Sequence, residues 1–173
     1  RKAVRHKLAG SLVQRCQVHK LRNVLGKLPQ LARPTLKTLI RRAFTARSHA
    51  EGLVQARAII DEHREAFPAA MACLERDLDE CLTVLRFPFV HRRQIRTTNL
   101  LERLFGEGKR RSKVIPRFTS EASGLSLLFA VLVDASEGWR GVRMRADIVA
   151  RLNQLAADPD STWHDPDLAK LAA

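Results

Sequence analysis

The most informative stretch of this chain is residues 95–113, IRTTNLLERLFGEGKRRSK. Threonine and asparagine precede a run of helix-forming residues, and a Val-Ile-Pro sequence follows it, so we predict a polar helix over 98–113. Two glycines, Gly106 and Gly108, lie inside this predicted helix, and each costs roughly 0.8–1 kcal/mol relative to alanine. Another requirement, such as the close approach of a neighbouring backbone, is therefore expected to keep them there.

Helical spacing places one carboxylate, Glu102, on a stripe of mostly cationic and small side chains. The stripe comprises Thr98, Glu102, Gly106, Lys109, Arg110 and Lys113. Phosphoryl transfer uses carboxylates to hold divalent metal ions and cations to position the polyanionic substrate. The simpler alternative is a surface glutamate that pairs with a lysine or arginine of its own helix, and the residues alone leave both open.

The charge of the whole chain indicates a polyanionic partner. Its 173 residues carry a formal net charge of +13, and 45% of them are hydrophobic, which is enough apolar content for a folded core. Residues 1–48 contain 13 Lys/Arg and no Asp/Glu, and residues 86–117 contain 10 against 2. Nucleic acid is the expected partner because two basic blocks on one surface would favour phosphate contacts; ordinary solvated helix faces are the alternative.

Glycine, proline and capping signals divide the remaining sequence into helices. We predict helices over 19–27, 34–47, 49–67 and 69–86, and a helix cap at Thr119 or Ser120. Residues 12–18 alternate apolar and polar side chains and are predicted to form one short strand. Residues 125–133 are apolar on nearly all sides, which predicts a helix that is buried, typically against a sheet.

Two blocks of the sequence resemble one enzyme family. Residues 95–118, IRTTNLLERLFGEGKRRSKVIPRF, together with the apolar helix and SEGWR at 136–140, resemble the end of the catalytic region of Mutator-type bacterial insertion-sequence transposases. Residues 14–25, QRCQVHKLRNVL, resemble an earlier block of the same family. The similarity reaches to about residue 143 and is looser between the two blocks.

The resemblance implies an RNase H-like catalytic fold of the DDE type, with an Asp, Asp, Glu triad and a helical insertion before the glutamate. Glu102 matches that glutamate and would ligate Mg²⁺ or Mn²⁺. In the family both aspartates precede the block that contains Cys16 and His19, whereas the first aspartate of this chain is Asp61. We therefore expect metal binding only together with those two aspartates. We also expect this chain to be a truncated part of the transposase that is inactive alone. Because the chain begins at Arg1 within a basic, helix-like stretch, we expect sequence upstream of it.

The resemblance also assigns roles around Glu102. The cations expected to hold double-stranded DNA, both element ends and target, are Arg96, Lys109, Arg110, Arg111 and Lys113. The residues expected to support the site are Cys16, His19, Thr98 and Asn99. The aspartates of the predicted insertion, Asp61, Asp77 and Asp79, are interpreted as solvated surface charges. Transposases act as synaptic oligomers, so we also expect a homo-oligomer in the cytoplasm, associated with the bacterial nucleoid.

The expected fold class is mainly α in this fragment, as the C-terminal part of an RNase H-like α/β domain with one or few strands present. Residues 1–27 would be the end of the RNase H-like core, and 28–90 the helical insertion. Residues 91–143 would return to the core with the Glu102 helix and the buried final helix. Residues 144–173 would form a C-terminal helix and an irregular tail.

Other interpretations of the sequence remain open. A basic helical DNA-binding module without chemistry accounts for the charge, but not for the glutamate and glycines in the most basic helix. A degenerate transposase remnant accounts for the missing aspartates. A zinc site at Cys16 and His19 would need two further ligands, and Cys73 and Cys81 have the spacing of helix core positions. No stretch approaches the roughly 20 apolar residues of a membrane span, and no membrane partner is expected.

Overall fold

The computed structural model describes residue 6 and residues 11–138, 141, 144–163 and 165–168, and within these residues it is helical without a strand. The α-helices are α1 Gln17–Leu25, α2 Arg33–Phe44, α3 His49–His63, α4 Pro68–Glu75, α5 Leu78–Leu82, α6 Phe89–Ile95, α7 Asn99–Ser112, α8 Glu121–Glu137 and α9 Ala146–Ala157. Short 3₁₀ turns cover Gln30–Ala32 and Thr83–Arg86. The expected fold class is thus confirmed in its coarse form, mainly α.

Side-chain caps explain where two long helices begin. The Ser48 hydroxyl accepts a hydrogen bond from the Glu51 amide at 3.2 Å, while the Glu51 carboxylate accepts one from the Arg47 amide at 3.0 Å. At α8, Ser120 and Ser123 exchange bonds between hydroxyl and amide in both directions. The cap predicted at Thr119 or Ser120 is therefore confirmed at Ser120, because the hydroxyl satisfies an amide that has no partner within the helix.

The strand predicted over residues 12–18 is wrong. Residues 11–16 have no regular secondary structure, and α1 already begins at Gln17. The extended segment bonds to helical segments instead of a strand: the Arg15 amide donates to the Glu80 carbonyl at 2.8 Å, and the Val84 amide donates to Oε1 of Gln14 at 2.6 Å. Alternating side chains fitted this extended course, but a strand also needs a partner strand.

The single helix predicted over 69–86 is divided in the structure. It breaks between α4 and α5 at Asp77, whose φ of 64° lies in the left-handed region. Aspartate tolerates that region better than most residues, so the chain turns there without a glycine. The sequence Phe87-Pro88-Phe89 follows the second 3₁₀ turn and begins α6, with Pro88 at the N-cap position.

The chain divides into two compact units, the first of residues 1–97 with 144–173 and the second of residues 98–143. In the first unit, helices α1 to α5 share one apolar core. Its fully enclosed members include Val24, Ile40, Ala43, Ala70, Met71, Leu74, Cys81 and Leu82. Because Leu21 and Val24 of α1 belong to this core, the expected boundary at residues 27 and 28 does not separate two packing units.

Two arginines hold the first unit together through backbone carbonyls. The guanidinium of Arg92 donates to the carbonyls of Phe87, Ala46, Arg47 and Leu85 at 2.9–3.2 Å. Arg151, on α9, donates to the carbonyl of Arg86 at 3.0 Å. Because a guanidinium offers five donors in a fixed plane, each arginine joins segments that are distant in sequence.

The second unit consists of α7, α8 and their connection, and it leaves much apolar surface exposed. Leu104 and Gly108 of α7 and Val131 of α8 are the buried residues of the two helices. Phe129 is 69% exposed and Leu128 42% exposed, which differs from the expectation of a buried final helix. One neighbouring helix can cover only one face of a helix that is apolar on all sides.

Some expectations concern residues outside those described. The basic helix expected near residues 1–10 lies there, apart from His6, as do Trp139 and Arg140 of the SEGWR segment and the last residues of the predicted tail, 169–173. Within the described part of the chain, no helix has the length and apolar character needed to cross a membrane.

Candidate functional site

Glu102 lies in the first turn of α7, where its carboxylate is exposed and oriented by a neighbour. The Thr98 hydroxyl, one turn earlier, donates a hydrogen bond to Oε1 of Glu102, and the Glu102 amide donates to the Thr98 carbonyl at 2.9 Å. A carboxylate in the first turn is also favoured by the partial positive charge at the start of a helix. The sequence placed Thr98 among the supporting residues, and the structure gives it this contact; Asn99 is the exposed first residue of α7.

The predicted DNA-binding cations of α7 fall into two groups. Lys109 and Lys113 are exposed, and among the described residues neither has a carboxylate within ion-pair distance. Arg110 and Arg111 instead contact Glu107, with N–O distances of 2.6 and 2.9 Å. Arg111 also contacts Asp134 of α8 at 3.0 Å.

Glu107 is a residue whose role the sequence interpretation missed. Hydrogen bonds from Arg110 and Arg111 lower the pKa of the Glu107 carboxyl to about 2, so this group stays charged and keeps both arginines occupied. The signal was present in the sequence, because residues three and four positions apart are neighbours on a helix. Within α7, the positive charge of the two lysines is therefore more available to a polyanion than that of the two arginines, which Glu107 partly neutralises.

The two glycines of α7 have different surroundings. A Cβ atom at Gly108 would lie 2.9 Å from Cδ2 of Leu128, so this glycine permits close packing of α7 against α8. A Cβ atom at Gly106 would meet nothing within 4 Å among the residues that the structure describes. Close approach thus explains Gly108, with a side chain rather than a backbone as the neighbour, while the helix surface at Gly106, one turn after Glu102, is open.

The remaining predicted site residues lie in the first unit. Cys16 is half-buried and immediately precedes α1, and His19 lies half-buried in the first turn of that helix. The carbonyl of Arg96 accepts a hydrogen bond from the Gln17 amide at 3.0 Å, which ties the end of α6 to the start of α1. The blocks with Cys16 and with Arg96, which are about 80 positions apart in sequence, therefore meet through the backbone.

The other two cysteines lie in the apolar core, and the three aspartates contact basic side chains. Cys73 and Cys81 are buried in the core, and burial raises the pKa of the Cys81 thiol to about 12. Asp61, Asp77 and Asp79 have cationic or histidine partners: Asp61 contacts Arg64 at 3.8 Å, Asp77 contacts Arg15 at 3.4 Å, and Asp79 contacts His49 at 2.9 Å. Within the described residues, no three His, Cys, Asp or Glu side chains are grouped to hold a metal ion.

Comparison with known proteins places these features in one family. The family model described as "Transposase, Mutator family" matches residues 1–141. The transposase for insertion sequence element IS6120 of Mycolicibacterium smegmatis is 32% identical over 82% of this chain and 44% of its own length. The transposase for IS406 of Burkholderia multivorans is 38% identical over 73% of this chain and 33% of its own length.

A third relative has similar coverage. The transposase for insertion sequence element IST2 of Acidithiobacillus ferrooxidans is 32% identical over 75% of this chain and 44% of its own length. The chain thus spans less than half the length of these curated relatives.

Proposed function

Because this chain belongs to the Mutator family of transposases, we propose that it supplies the metal-binding glutamate and part of the DNA-holding surface of a DDE-type insertion-sequence transposase. The observation that carries the proposal is the arrangement of α7. Glu102 is exposed and oriented by Thr98, and Lys109 follows seven positions later on the same helix face. This arrangement lies within the residues that the family model matches.

The residues suit a divalent metal ion in kind but are too few in number. Mg²⁺ and Mn²⁺ take oxygen ligands, and a carboxylate is the usual protein donor. A bound ion of this type stabilises the attacking and leaving oxygens when a phosphodiester is broken or joined. Among the described residues, however, no other carboxylate is grouped with Glu102 into a cluster of three possible ligands. We assign Glu102 as one ligand of the triad. In this chain the phosphate oxygens of bound DNA would have to take the place of the two aspartates as further oxygen ligands, so a divalent ion is expected at Glu102 only when DNA is bound, and the chain alone is expected to be inactive.

The cationic side chains of α7 would hold the DNA backbone beside Glu102. Lys109 and Lys113 contribute charge without an intramolecular carboxylate in the described part of the chain. Phosphate contacts of this kind position DNA without reading its sequence. The open helix surface at Gly106 leaves room for a backbone to approach between Glu102 and Lys109.

The family also suggests the setting of this site. We propose that the exposed apolar side of α8, with Phe129 and Leu128, packs against the sheet of an RNase H-like core, because such a helix is stable only when covered. On the same basis, the partners are double-stranded element ends and target DNA, together with further copies of the transposase at the bacterial nucleoid.

The proposal is tested by the effect of a divalent cation on DNA affinity. Binding of a duplex is measured at constant ionic strength in EDTA and in Ca²⁺, for the unchanged chain, Glu102→Gln and the matched control Glu121→Gln, an exposed first-turn glutamate of α8. Removing one negative charge from the DNA face is worth about 0.3–1 kcal/mol. Glu102→Gln should therefore bind roughly two- to fivefold more tightly in EDTA and lose the strengthening by Ca²⁺.

The control separates this role from general electrostatics. Glu121→Gln removes the same charge from the same unit, so it should keep the response of the unchanged chain to Ca²⁺. If Glu102→Gln and Glu121→Gln behave alike, Glu102 is not a metal ligand, and the alternative of a basic helical DNA-binding module without chemistry is favoured. That alternative has one observation behind it, the absence of a three-ligand cluster within the described residues.

A further inference from the structure

A second concentration of positive charge lies in the first unit, on residues to which the sequence assigned no role. A pocket of about 520 Å³ opens between α1 and the junction of α4 with α5. We call it the basic pocket; the charged residues that line it are Arg15, Lys20, Arg22, Lys27, Arg76 and Asp77. Five cations against one carboxylate give this pocket a strongly positive character.

The most deeply placed cation of the basic pocket is Lys20. Only 2% of this residue is exposed, and its ammonium donates a hydrogen bond to the carbonyl of Arg76. Burial lowers the pKa of Lys20, while the nearby ionisable groups Cys81, Cys73 and Asp77 act in the opposite direction. An ammonium group has three donors, and among the described residues the Arg76 carbonyl is the acceptor in contact with it. An anion in the pocket would offset the cost of removing this charge from water.

One of the residues that line the basic pocket, Asp77, has an unusual backbone conformation. Asp77 has a φ of 64° and is the one non-glycine residue with positive φ in the described part of the chain. Its turn ends α4 and brings the Arg76 carbonyl to Lys20.

The carboxylate of Asp77 leaves most of the positive charge uncompensated. It contacts Arg15 at 3.4 Å. Arg22, Lys27 and Arg76 are exposed, and none of the three has a carboxylate within ion-pair distance among the described residues. Exposed cations around a buried ammonium suit an anion that enters the pocket from solvent. One of its oxygen atoms would point toward Lys20, and the rest of the anion would contact the exposed cations.

We propose that the basic pocket binds a phosphate of the DNA backbone, at a site in a different unit from Glu102. A phosphodiester carries one negative charge and two unesterified oxygens, which match guanidinium and ammonium donors. Such a contact fixes the position of the duplex without reading its sequence. The inference rests on the proposed function only for the choice of DNA as the source of the phosphate.

The inference is tested by the salt dependence of duplex binding. In the pocket variant, Arg22→Gln with Lys27→Gln, two exposed cations are removed, so the fold is not at risk. The control, Arg41→Gln with Arg42→Gln, removes two exposed cations of α2 in the same unit. The slope of log affinity against log salt is negative, and each lost phosphate contact makes it less steep by about 0.9. At 0.1 M salt this corresponds to a loss of about eightfold in affinity.

The pocket variant should show this loss, while the control should stay within about twofold of the unchanged chain. A similar change in both variants, no change in the pocket variant, or no salt-sensitive duplex binding by the unchanged chain would overturn the inference. The response of DNA affinity to Ca²⁺ depends on Glu102 and is read separately. If the pocket variant keeps both its Ca²⁺ response and the salt slope of the unchanged chain, phosphate binding at the basic pocket is therefore ruled out, while the proposed function is unaffected.

A measurement on the unchanged chain gives an independent answer. Lysines are acylated with and without duplex DNA, and the modified peptides are quantified by mass spectrometry. Lys27 lines the basic pocket, whereas Lys37 is exposed on α2 and outside it. DNA should protect Lys27 at least several-fold more than Lys37, and equal protection of the two would contradict the proposed site.

Discussion

Replacing Gly52 by alanine should destabilise the first unit, because this glycine lets α3 lie against its neighbours. A Cβ atom there would be 2.7 Å from Cδ1 of Leu85 and 2.9 Å from the backbone carbonyl oxygen of Ala43. A backbone oxygen cannot move aside as a side-chain end can. Overpacking costs about 1–3 kcal/mol, and an obstacle that cannot move places this substitution in the upper part of that range, about 2–3 kcal/mol; the better helix propensity of alanine returns about 1 kcal/mol. We therefore expect a net loss of about 1–2 kcal/mol.

Gly106→Ala is the matched control, since it makes the same chemical change inside another helix. In the described part of the chain a Cβ atom at Gly106 meets nothing within 4 Å, so the helix propensity should decide the outcome and the second unit should gain about 0.8–1 kcal/mol. Hydrogen exchange reports local opening segment by segment, so exchange of peptides from α3 and from α7 is the suitable assay. Exchange in α3 should rise about 5- to 30-fold in Gly52→Ala. Unchanged or slower exchange there would refute the packing argument.

Three further outcomes follow from the same contacts. Thr98→Val removes the hydrogen bond that orients Glu102, so duplex titrations should show a weaker Ca²⁺ response, with a change in stability below about 1 kcal/mol; a full response would remove Thr98 from the site. Glu107 has a folded pKa of about 2 against an ordinary 4.5, so its stabilisation is complete above pH 4.5 and is lost as the pH falls toward 2. Glu107→Gln should flatten that acid dependence in urea unfolding. It should also tighten DNA binding, because it releases Arg110 and removes one of the two carboxylate partners of Arg111, which keeps Asp134; weaker DNA binding would contradict this expectation. With Mg²⁺ or Mn²⁺, neither the unchanged chain nor Glu102→Gln should nick supercoiled DNA; nicking by the unchanged chain alone would mean that it holds a complete set of metal ligands.

The helical part of the fold could largely be predicted from local signals. Ser120 as a cap, the polar helix with Glu102 and the break after α3 all follow from residues that stabilise or interrupt a helix locally. The strand at 12–18 was mispredicted because alternation specifies an extended chain, while its partners, the Glu80 carbonyl and the Val84 amide, belong to helical segments distant in sequence.

The candidate site was predictable only where it depends on one helix. Glu102, Thr98 and Lys109 are related by helical spacing, which the sequence alone supplies. Arg92 could not be identified in this way, because its acceptors are backbone carbonyls from distant parts of the chain. Lys20 was equally hidden, since its burial depends on the turn at Asp77, where the sequence predicted a continuous helix.

The position of a metal ion on the DNA-bound chain can be measured by letting Fe²⁺ replace Mg²⁺. With hydrogen peroxide and ascorbate added, the bound Fe²⁺ reduces peroxide to hydroxide and a hydroxyl radical, which cleaves the nearby backbone, and the fragments are mapped by mass spectrometry. If Glu102 is a metal ligand beside DNA, cleavage should occur around residues 98–106, require duplex DNA, persist in Glu121→Gln and disappear in Glu102→Gln. Cleavage near residues 98–106 that survives Glu102→Gln, or no specific cleavage there, would contradict the assignment of Glu102 as the metal-binding glutamate of this transposase chain.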